Sequence, residues 1–206
     1  NNNYDDTDKI KGVSALYNSV KINDIEKIDI IINHPSFDIY KSDINESIFK
    51  AVTKNNVEVF EKLIKLIDND VNIKNTNGES LLFVAAANLS GSIIDEIFSN
   101  PKFDSKNNQI CEALVESYTY KYNKNKNNNN NHNNHTNVLN QHLIPDKSMK
   151  IEIINKIYDF DREHDKLIDF NQLLPNGKSY LTNISKDLDE IEEIVDFFID
   201  HGVDPN

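Results

Sequence analysis

The sequence has a single cysteine, no tryptophan, and only five glycines and five prolines among its 206 residues. Because Cys111 has no second cysteine with which to form an internal disulfide, we expect a reducing, intracellular and cytoplasmic location. No run of about 18 apolar residues could span a membrane, and no basic stretch followed by an apolar one marks an export signal. We therefore expect neither a membrane partner nor secretion.

Basic residues are scarce relative to acidic ones, with 22 Lys and Arg against 34 Asp and Glu. The resulting formal net charge of -12 repels phosphate backbones, which argues against nucleic acid as a general partner. The apolar content of 38% is ordinary for a folded chain and is enough to form a sizeable core. Composition thus favours an acidic, soluble protein that binds something other than nucleic acid.

The few glycines fall in a regular pattern. Gly12, Gly78 and Gly177 each stand two residues before a serine and four residues before a leucine. The three serines are Ser14, Ser80 and Ser179. A second match aligns Pro, Phe and Asp in residues 34–38 with the same types in residues 100–104, a separation of 66 residues. Since 66 is twice 33, we infer units of about 33 residues, with further starts at 46 and 112.

An aspartate lies near the end of each unit, and its position provides an independent test of this assignment. These aspartates are Asp38, Asp70, Asp104, Asp169 and Asp204. They follow their starts by 24, 24, 24, 57 and 25 residues, so the fourth unit is about 33 residues too long. The excess contains an Asn-rich stretch that has too little apolar surface to offset its ordering entropy. We therefore predict a disordered insertion at 123–147 and a disordered N-terminal segment at 1–8.

Within each unit the apolar residues follow a helical period. In the second unit, for example, Val57, Phe60, Leu63 and Ile64 are spaced by three, three and one, which places them on one helix face. Helices of about ten residues are marginal alone, so each face must be covered by a partner helix and by the next unit. We predict units 1 to 3 and the first helix of unit 4 in 9–122, and the remainder of unit 4 with unit 5 in 148–206.

A 33-residue unit with two short helices, a glycine at its start and an aspartate at its end resembles the ankyrin repeat. The best start is residues 78–86, and residues 194–206 are similar to the ending of the family's second helix. The resemblance implies an all-α repeat fold, an ankyrin-like solenoid of stacked helix-turn-helix units with short β-hairpin fingers. The family's helix-start histidine is missing, so we expect stability to depend more on packing. Its positions hold Tyr17, Phe49, Phe83, Val115 and Thr182.

Position in the unit assigns structural roles to the glycines and serines. Gly12, Gly78 and Gly177 suit turns that require a positive φ, and the serines after them can cap the N–H groups of a helix. Gly202 suits the end of a helix. In ankyrin-like proteins the fingers and first helices meet partners, so the candidate contacts are polar finger residues. These are Lys41, Asp43, Lys74, Asn77, Lys106, Asn108, Asn176 and Lys178.

Several patterns resemble chemical sites but lack a residue or a supporting fold that the site requires. A phosphate loop ending in Gly177-Lys178-Ser179 would need a glycine where Gln172 stands. A calcium loop beginning at Asp68 has Ile73 at the position that requires glycine. Histidines in the Asn-rich segment lack a supporting fold that would orient them toward a metal. We predict no catalytic residue, no metal and no cofactor, and hence no enzyme.

The leading functional hypothesis is a monomeric, non-catalytic module that binds another protein on its fingers and first helices. An alternative is a targeting or regulatory arm of a larger enzyme, such as a kinase or ubiquitin-ligase subunit. That alternative is motivated by the absence of an initiating Met and by a last residue, Asn206, where another finger would begin. A third hypothesis treats the repeats as a spacer. The sequence does not identify the partner.

Overall fold

A computed structural model describes residues 14–119, 147–184 and 191–203. Within these ranges the chain forms nine α-helices and three short 3-10 helices. The α-helices are α1 (Ala15–Ile22), α2 (Ile25–Ile32), α3 (Ile44–Thr53), α4 (Val57–Ile64), α5 (Leu81–Ala87), α6 (Gly91–Ser99), α7 (Ile110–Thr119), α8 (Lys147–Glu163) and α9 (Ile191–Asp200). The 3-10 helices are Ile39–Lys41, Lys65–Ile67 and Leu181–Asn183. The expectation of an all-α class is confirmed for these residues.

The helices pack as successive pairs. α1 contacts α2, α3 contacts α4, α5 contacts α6, and α7 contacts α8. The first members of the pairs also contact one another in chain order, α1 to α3 to α5 to α7, and we call them the first-helix row. Among the second members, α4 contacts α6 and α6 contacts α8. The core therefore lies between two rows of helices, each covering the apolar face of the other.

One fully buried side chain from each second helix marks this core. In α2, α4 and α6 the residues are Ile28, Phe60 and Ile94, which have the same place in the helical period. In α8 and α9 they are Ile154 and Ile194. Burying such a side chain stabilises the folded state by about 1.5–3 kcal/mol. The apolar residues at equivalent positions of the second helices, which are 32 and 34 residues apart from α2 to α4 and from α4 to α6, therefore form the shared core.

The turn between the two helices of a pair has the same conformation in three pairs. A residue with positive φ ends the first helix: Asn23 at 61°, Asn55 at 49° and Leu89 at 54°. The N–H of the following residue then donates to a carbonyl five residues earlier, at 2.8–3.0 Å in each pair. This arrangement satisfies carbonyl groups that the end of a helix leaves free. These three positions were not predicted from the sequence.

The aspartates that close the units also share one local structure. Asp38, Asp70, Asp104 and Asp169 each accept a hydrogen bond at their Oδ1 from the N–H two residues later, at 2.9–3.0 Å. A short carboxylate that bonds the backbone in this way stabilises a tight turn. Asp204 lies outside the described residues. Each described unit therefore leaves its second helix through the same turn.

Some predicted elements differ from the structure. The fingers contain a single antiparallel bridge, Lys74 to Ser80, and the described residues contain no β-strand. The first helix predicted for unit 5 is absent from the described part of that segment, where only the 3-10 helix Leu181–Asn183 forms. The side chains of Thr182 and Asn183 donate to the Ser179 carbonyl at 2.9 Å. They thereby occupy the oxygen that an α-helix would use for its first backbone bond.

The insertion boundary also shifts. Helix α8 begins at Lys147, the last residue assigned to the insertion, and its 17 residues exceed the ten expected. The predicted N-terminal segment 1–8 and residues 123–146 of the predicted insertion lie outside the described residues.

Candidate protein-binding cleft

Ser80 fixes helix α5 at its start and joins it to α7. Its Oγ accepts from the Phe83 N–H at 3.1 Å, which caps α5, and donates to the Asn108 carbonyl at 2.8 Å. The Ser80 N–H donates to Gln109 Oε1 at 2.8 Å. Gln109 immediately precedes α7 and has a φ of 55°. Because Ser80 is fully buried, its two bonds to Asn108 and Gln109 fix the start of α5 against the start of α7.

Ser14 makes the same three bonds two helix pairs earlier in the chain. Its Oγ accepts from Tyr17 N–H at 3.2 Å and donates to the Ser42 carbonyl at 2.7 Å. Its N–H donates to Asp43 Oδ2 at 3.0 Å, and Asp43 has a φ of 49° ahead of α3. Hydrogen bonds between these helix pairs are therefore present without a histidine at the helix start, because the cap serines and the loop residues of the next pair supply them.

With the first helices held in this way, an open cleft runs along their outer face. Its larger part is a cavity of about 360 Å³ lined by Tyr17 of α1, Phe49 of α3 and Phe83 of α5. Asn75 and Glu79, from the loop before α5, form one side of this cavity. The aromatic residues occupy equivalent positions of three successive helices. The cleft floor is therefore apolar and aromatic over three helices.

The cleft continues into a smaller cavity of about 150 Å³ that shares Phe83. Val115 of α7 lies at the next equivalent position, and Leu174 and Pro175 from the loop before Leu181 complete the apolar wall. Val115 and Leu174 are almost entirely buried, whereas Phe83 is half-buried. We define the cleft as the lining residues of these two cavities.

Carboxylates surround the smaller cavity. Glu112 and Glu116 of α7 line it, and Glu79 lines the adjoining part of the cleft. All three are half-buried. Burial, with the nearby Glu79 charge as a second cause, raises the pKa of Glu116 above its usual range. Glu79 is held in place by Asn75, whose Nδ2 donates to its Oε2 at 2.6 Å. The cleft thus combines an apolar floor with negative charge.

The finger residues predicted as contacts occupy different settings. Lys74, Asn77, Asn176 and Lys178 are exposed on the two Asn-Gly turns, and Asn176 lines the cleft. Asn176 Oδ1 accepts from the Lys178 N–H at 3.0 Å, so its side chain also shapes the turn.

The other candidates lie on the loops before α3 and α7. Lys106 is exposed, and Lys41 lies in the 3-10 helix Ile39–Lys41. Asp43 is exposed and receives the Ser14 N–H.

Asn108 is wrong as a contact residue, because its side chain is fully buried. Its Nδ2 donates to Asn72 Oδ1 and to the Asp104 carbonyl, both at 2.7 Å. The loop carrying Asn108 folds back against the preceding unit instead of extending from it. A buried amide with these partners stabilises the loop and is unavailable to another protein.

The glycines predicted at turns have the backbone that such turns need. Gly78, Gly177 and Gly202 have φ angles of 79°, 75° and 91°, and Gly12 lies outside the described residues. Ser179 Oγ accepts from the Thr182 N–H at 3.2 Å, so it caps a 3-10 turn where Ser14 and Ser80 cap α-helices.

The described residues contain no group of three or more His, Cys, Asp and Glu side chains positioned to hold a metal ion. Cys111 is half-buried, with Sγ 3.5 Å from the Leu167 carbonyl, and burial raises the pKa of its thiol. None of the helices in the described ranges has the length and apolar character needed to cross a bilayer. The histidines of the Asn-rich segment lie outside these ranges.

Only some of the cleft residues could be recognised from the sequence. The positions of the missing histidine hold Tyr17, Phe49, Phe83 and Val115. Their spacing of about 33 residues could have indicated a shared surface. The glutamates gave no such signal, since acidic residues are common throughout the chain. Comparison with family models, with curated proteins and with solved structures gives no match to this chain.

Proposed function

We propose that the chain is a degenerate ankyrin-like solenoid that binds another protein without catalysing a reaction. The solenoid assignment is supported by contacts between successive first helices, by three equivalent helix-to-helix turns and by four equivalent aspartate turns. Each helix pair has an apolar face that only its neighbours cover, as expected for stacked repeats.

The observation that carries the function is the aromatic floor of the cleft. Three successive helices each contribute a ring to one open surface, and Tyr17 and Phe83 remain half-buried there. Large aromatic side chains are enriched at protein interfaces, because they bury much apolar area at a small cost in side-chain entropy. A chain segment lying along the first-helix row would cover these rings.

The chemistry of the lining also favours binding. The residues around the two cavities offer carboxylates, amides, aromatic rings and Lys50, but no serine, cysteine or histidine. The hydroxyl of Thr53, which also lines the cleft, donates to the Lys50 carbonyl at 2.9 Å. A nucleophile paired with a base, the usual arrangement for covalent catalysis, is not formed by these groups. The cleft is therefore proposed as a docking surface for protein.

Site-specific photocrosslinking tests this proposal. Benzoylphenylalanine replaces Tyr17, on the cleft floor, in one variant and Tyr40, whose side chain is 97% exposed outside the cleft, in a matched control. The full chain is expressed in cells and irradiated, and its adducts are separated by mass. We expect a discrete protein adduct from the Tyr17 position that is absent from the Tyr40 position. Adducts that are the same at both positions, or missing at Tyr17, would refute the cleft as the docking surface.

A further inference from the structure

We infer that the cleft receives a partner segment in which an arginine or lysine lies beside an apolar side chain. The cation would lie among Glu79, Glu112 and Glu116, and the apolar side chain would enter the 150 Å³ cavity. This inference rests on the proposed function and adds the chemistry of the partner.

The requirement for a cation follows from charge that the protein leaves unbalanced. Glu79, Glu112 and Glu116 form no ion pair with any residue in the described ranges. The ion pairs there are made by other lysines. Lys62 pairs with Asp29 at 2.8 Å and Lys156 with Asp95 at 2.6 Å, both between second helices. These three carboxylates therefore have no cationic partner among the described residues, while the lysine that lines the cleft, Lys50, belongs to the larger cavity.

Placing the half-buried carboxylate of Glu116 near that of Glu79 is unfavourable in the free protein. Desolvation and the repulsion between Glu79 and Glu116 both favour protonation of Glu116. A guanidinium or ammonium group placed there would remove the repulsion and form charge-assisted hydrogen bonds. Arginine fits better than lysine, because its planar fork can bond two carboxylate oxygens at once.

The requirement for an adjacent apolar side chain comes from the smaller cavity. Its wall is formed by Phe83, Val115, Leu174 and Pro175, and its volume is about 150 Å³. An apolar protein cavity of about this size is large enough for benzene. One leucine or phenylalanine side chain therefore fits. Because Glu112 and Glu116 line the same cavity, the cation and the apolar group must be close in the partner sequence.

Binding of such a segment has two expected signatures. Affinity should fall as ionic strength rises, since the carboxylates are only half-buried and salt screens their attraction to the cation. Affinity should also fall on acidification, because protonation of Glu116 removes charge from the site and its pKa is already raised. The overall charge of -12 speeds encounter with a basic partner at low salt.

Peptide selection tests the inference without a known partner. A random dodecapeptide library displayed on phage is selected against the full chain and, in parallel, against a variant carrying Glu79→Gln, Glu112→Gln and Glu116→Gln. The matched control carries Glu26→Gln, Glu192→Gln and Asp200→Asn, three exposed acidic residues outside the cleft. Both variants lose three negative charges, so a general effect of net charge would appear in both. Thermal unfolding verifies that each variant folds.

We expect the wild-type and control chains to enrich peptides with Arg or Lys within three residues of Leu, Phe, Ile or Met. Fluorescence anisotropy with the most enriched peptide should show at least tenfold weaker binding by the cleft variant and a change below twofold for the control. Enrichment of acidic or uncharged peptides, no enrichment at all, or equal loss in both variants would overturn the inference. If the Tyr17 crosslink persists in those cases, the proposed function stands and only the partner chemistry is wrong.

Discussion

The connections between successive helix pairs are of two kinds. The finger connections, residues 74–80 and 173–179, are tight Asn-Gly turns with a glycine at positive φ and a backbone bond closing the loop at 2.9–3.0 Å. The cap connections, residues 38–43 and 104–109, have no glycine. They place Asp43 or Gln109 at positive φ, and that side chain receives the N–H of a cap serine from the previous unit. A finger connection is closed by a hydrogen bond within its own loop, whereas a cap connection is held by a hydrogen bond from a serine of the previous unit.

The two kinds alternate along the chain. Cap connections lead into α3 and α7, and finger connections lead into α5 and into the segment beginning at Ser179. The ion pairs between second helices follow the same alternation, joining α2 to α4 and α6 to α8. At the intervening α4 to α6 step, the equivalent positions hold Glu61 and Glu96. The structural period is thus two helix pairs, which explains the 66-residue match in the sequence.

Removing a cap serine should have the largest effect, because that connection depends on a contact between units. Ser80→Ala loses the cap of α5 and leaves the buried Asn108 carbonyl without its donor, so we expect about 2–3 kcal/mol of destabilisation. Ser14→Ala should cost about 1 kcal/mol, since Ser14 is only partly buried. Urea unfolding of the full chain measures both. Equal losses would show that burial does not distinguish the two serines.

Altering a finger glycine should have a smaller and more uniform effect. Gly78→Ala and Gly177→Ala each force a Cβ into positive φ, which costs about 1 kcal/mol. The two losses should be equal, because an added Cβ would meet no atom within 4 Å at either site. Gly78→Asn is the matched control and should cost less, since asparagine tolerates this backbone. If either alanine variant loses much more stability than this estimate for alanine, as measured by urea unfolding, then the finger packs against a neighbouring element.

Removing the charge of Glu116 or of Glu79 should change the stability by a still smaller amount, and this change should depend on pH. Because the pKa of Glu116 is raised in the folded state, that state binds the proton more tightly, and stability falls as pH rises above about 4.3. Glu116→Gln should therefore stabilise the chain at pH 7 and leave it unchanged at pH 3.5. Glu79→Gln should give a weaker gain, since burial is the larger cause of the shift. Urea unfolding at both pH values tests the sign, and destabilisation by Glu116→Gln at pH 7 would contradict it.

Supplying the missing ion pair should have the smallest effect. Glu61 and Glu96 hold the positions equivalent to Asp29 and Lys62, so Glu96→Lys should allow α4 and α6 to form the ion pair that the neighbouring pairs already have. For a partly exposed pair we expect a few tenths of a kcal/mol of stabilisation in thermal unfolding, reduced at high salt. Glu96→Gln is the matched control, because it removes the repulsion without supplying a cation. Equal gains from both variants would assign the effect to relief of repulsion and would exclude a stabilising ion pair.

Local features of the fold could be predicted because they depend on neighbouring residues. The closing aspartates bond the backbone two residues away, and the glycines at 78 and 177 adopt the backbone that an Asn-Gly turn requires. The 3-10 helix after Ser179 was not predicted, because Thr182 and Asn183 compete for a backbone oxygen. Helical period alone contains no information about that competition.

The candidate site was harder to predict, because its residues are distant in sequence. Asn108 looked like an exposed loop residue, yet its amide donates to Asn72, 36 positions earlier, and its side chain is fully buried. Glu79 and Glu116 are 37 positions apart, and only the packing of α5 on α7 makes their charges interact.

The sequence by itself determined the aspartate and Asn-Gly turns, the serine caps and the helical period, since each depends on backbone preferences and hydrogen bonds within about four residues. The tertiary structure decided which polar side chains are buried and which aromatic rings share one cleft. It also decided where acidic charge stays unbalanced. These outcomes depend on how one helix pair stacks on the next, and the free energy of that stacking comes from contacts between residues about 30 positions apart.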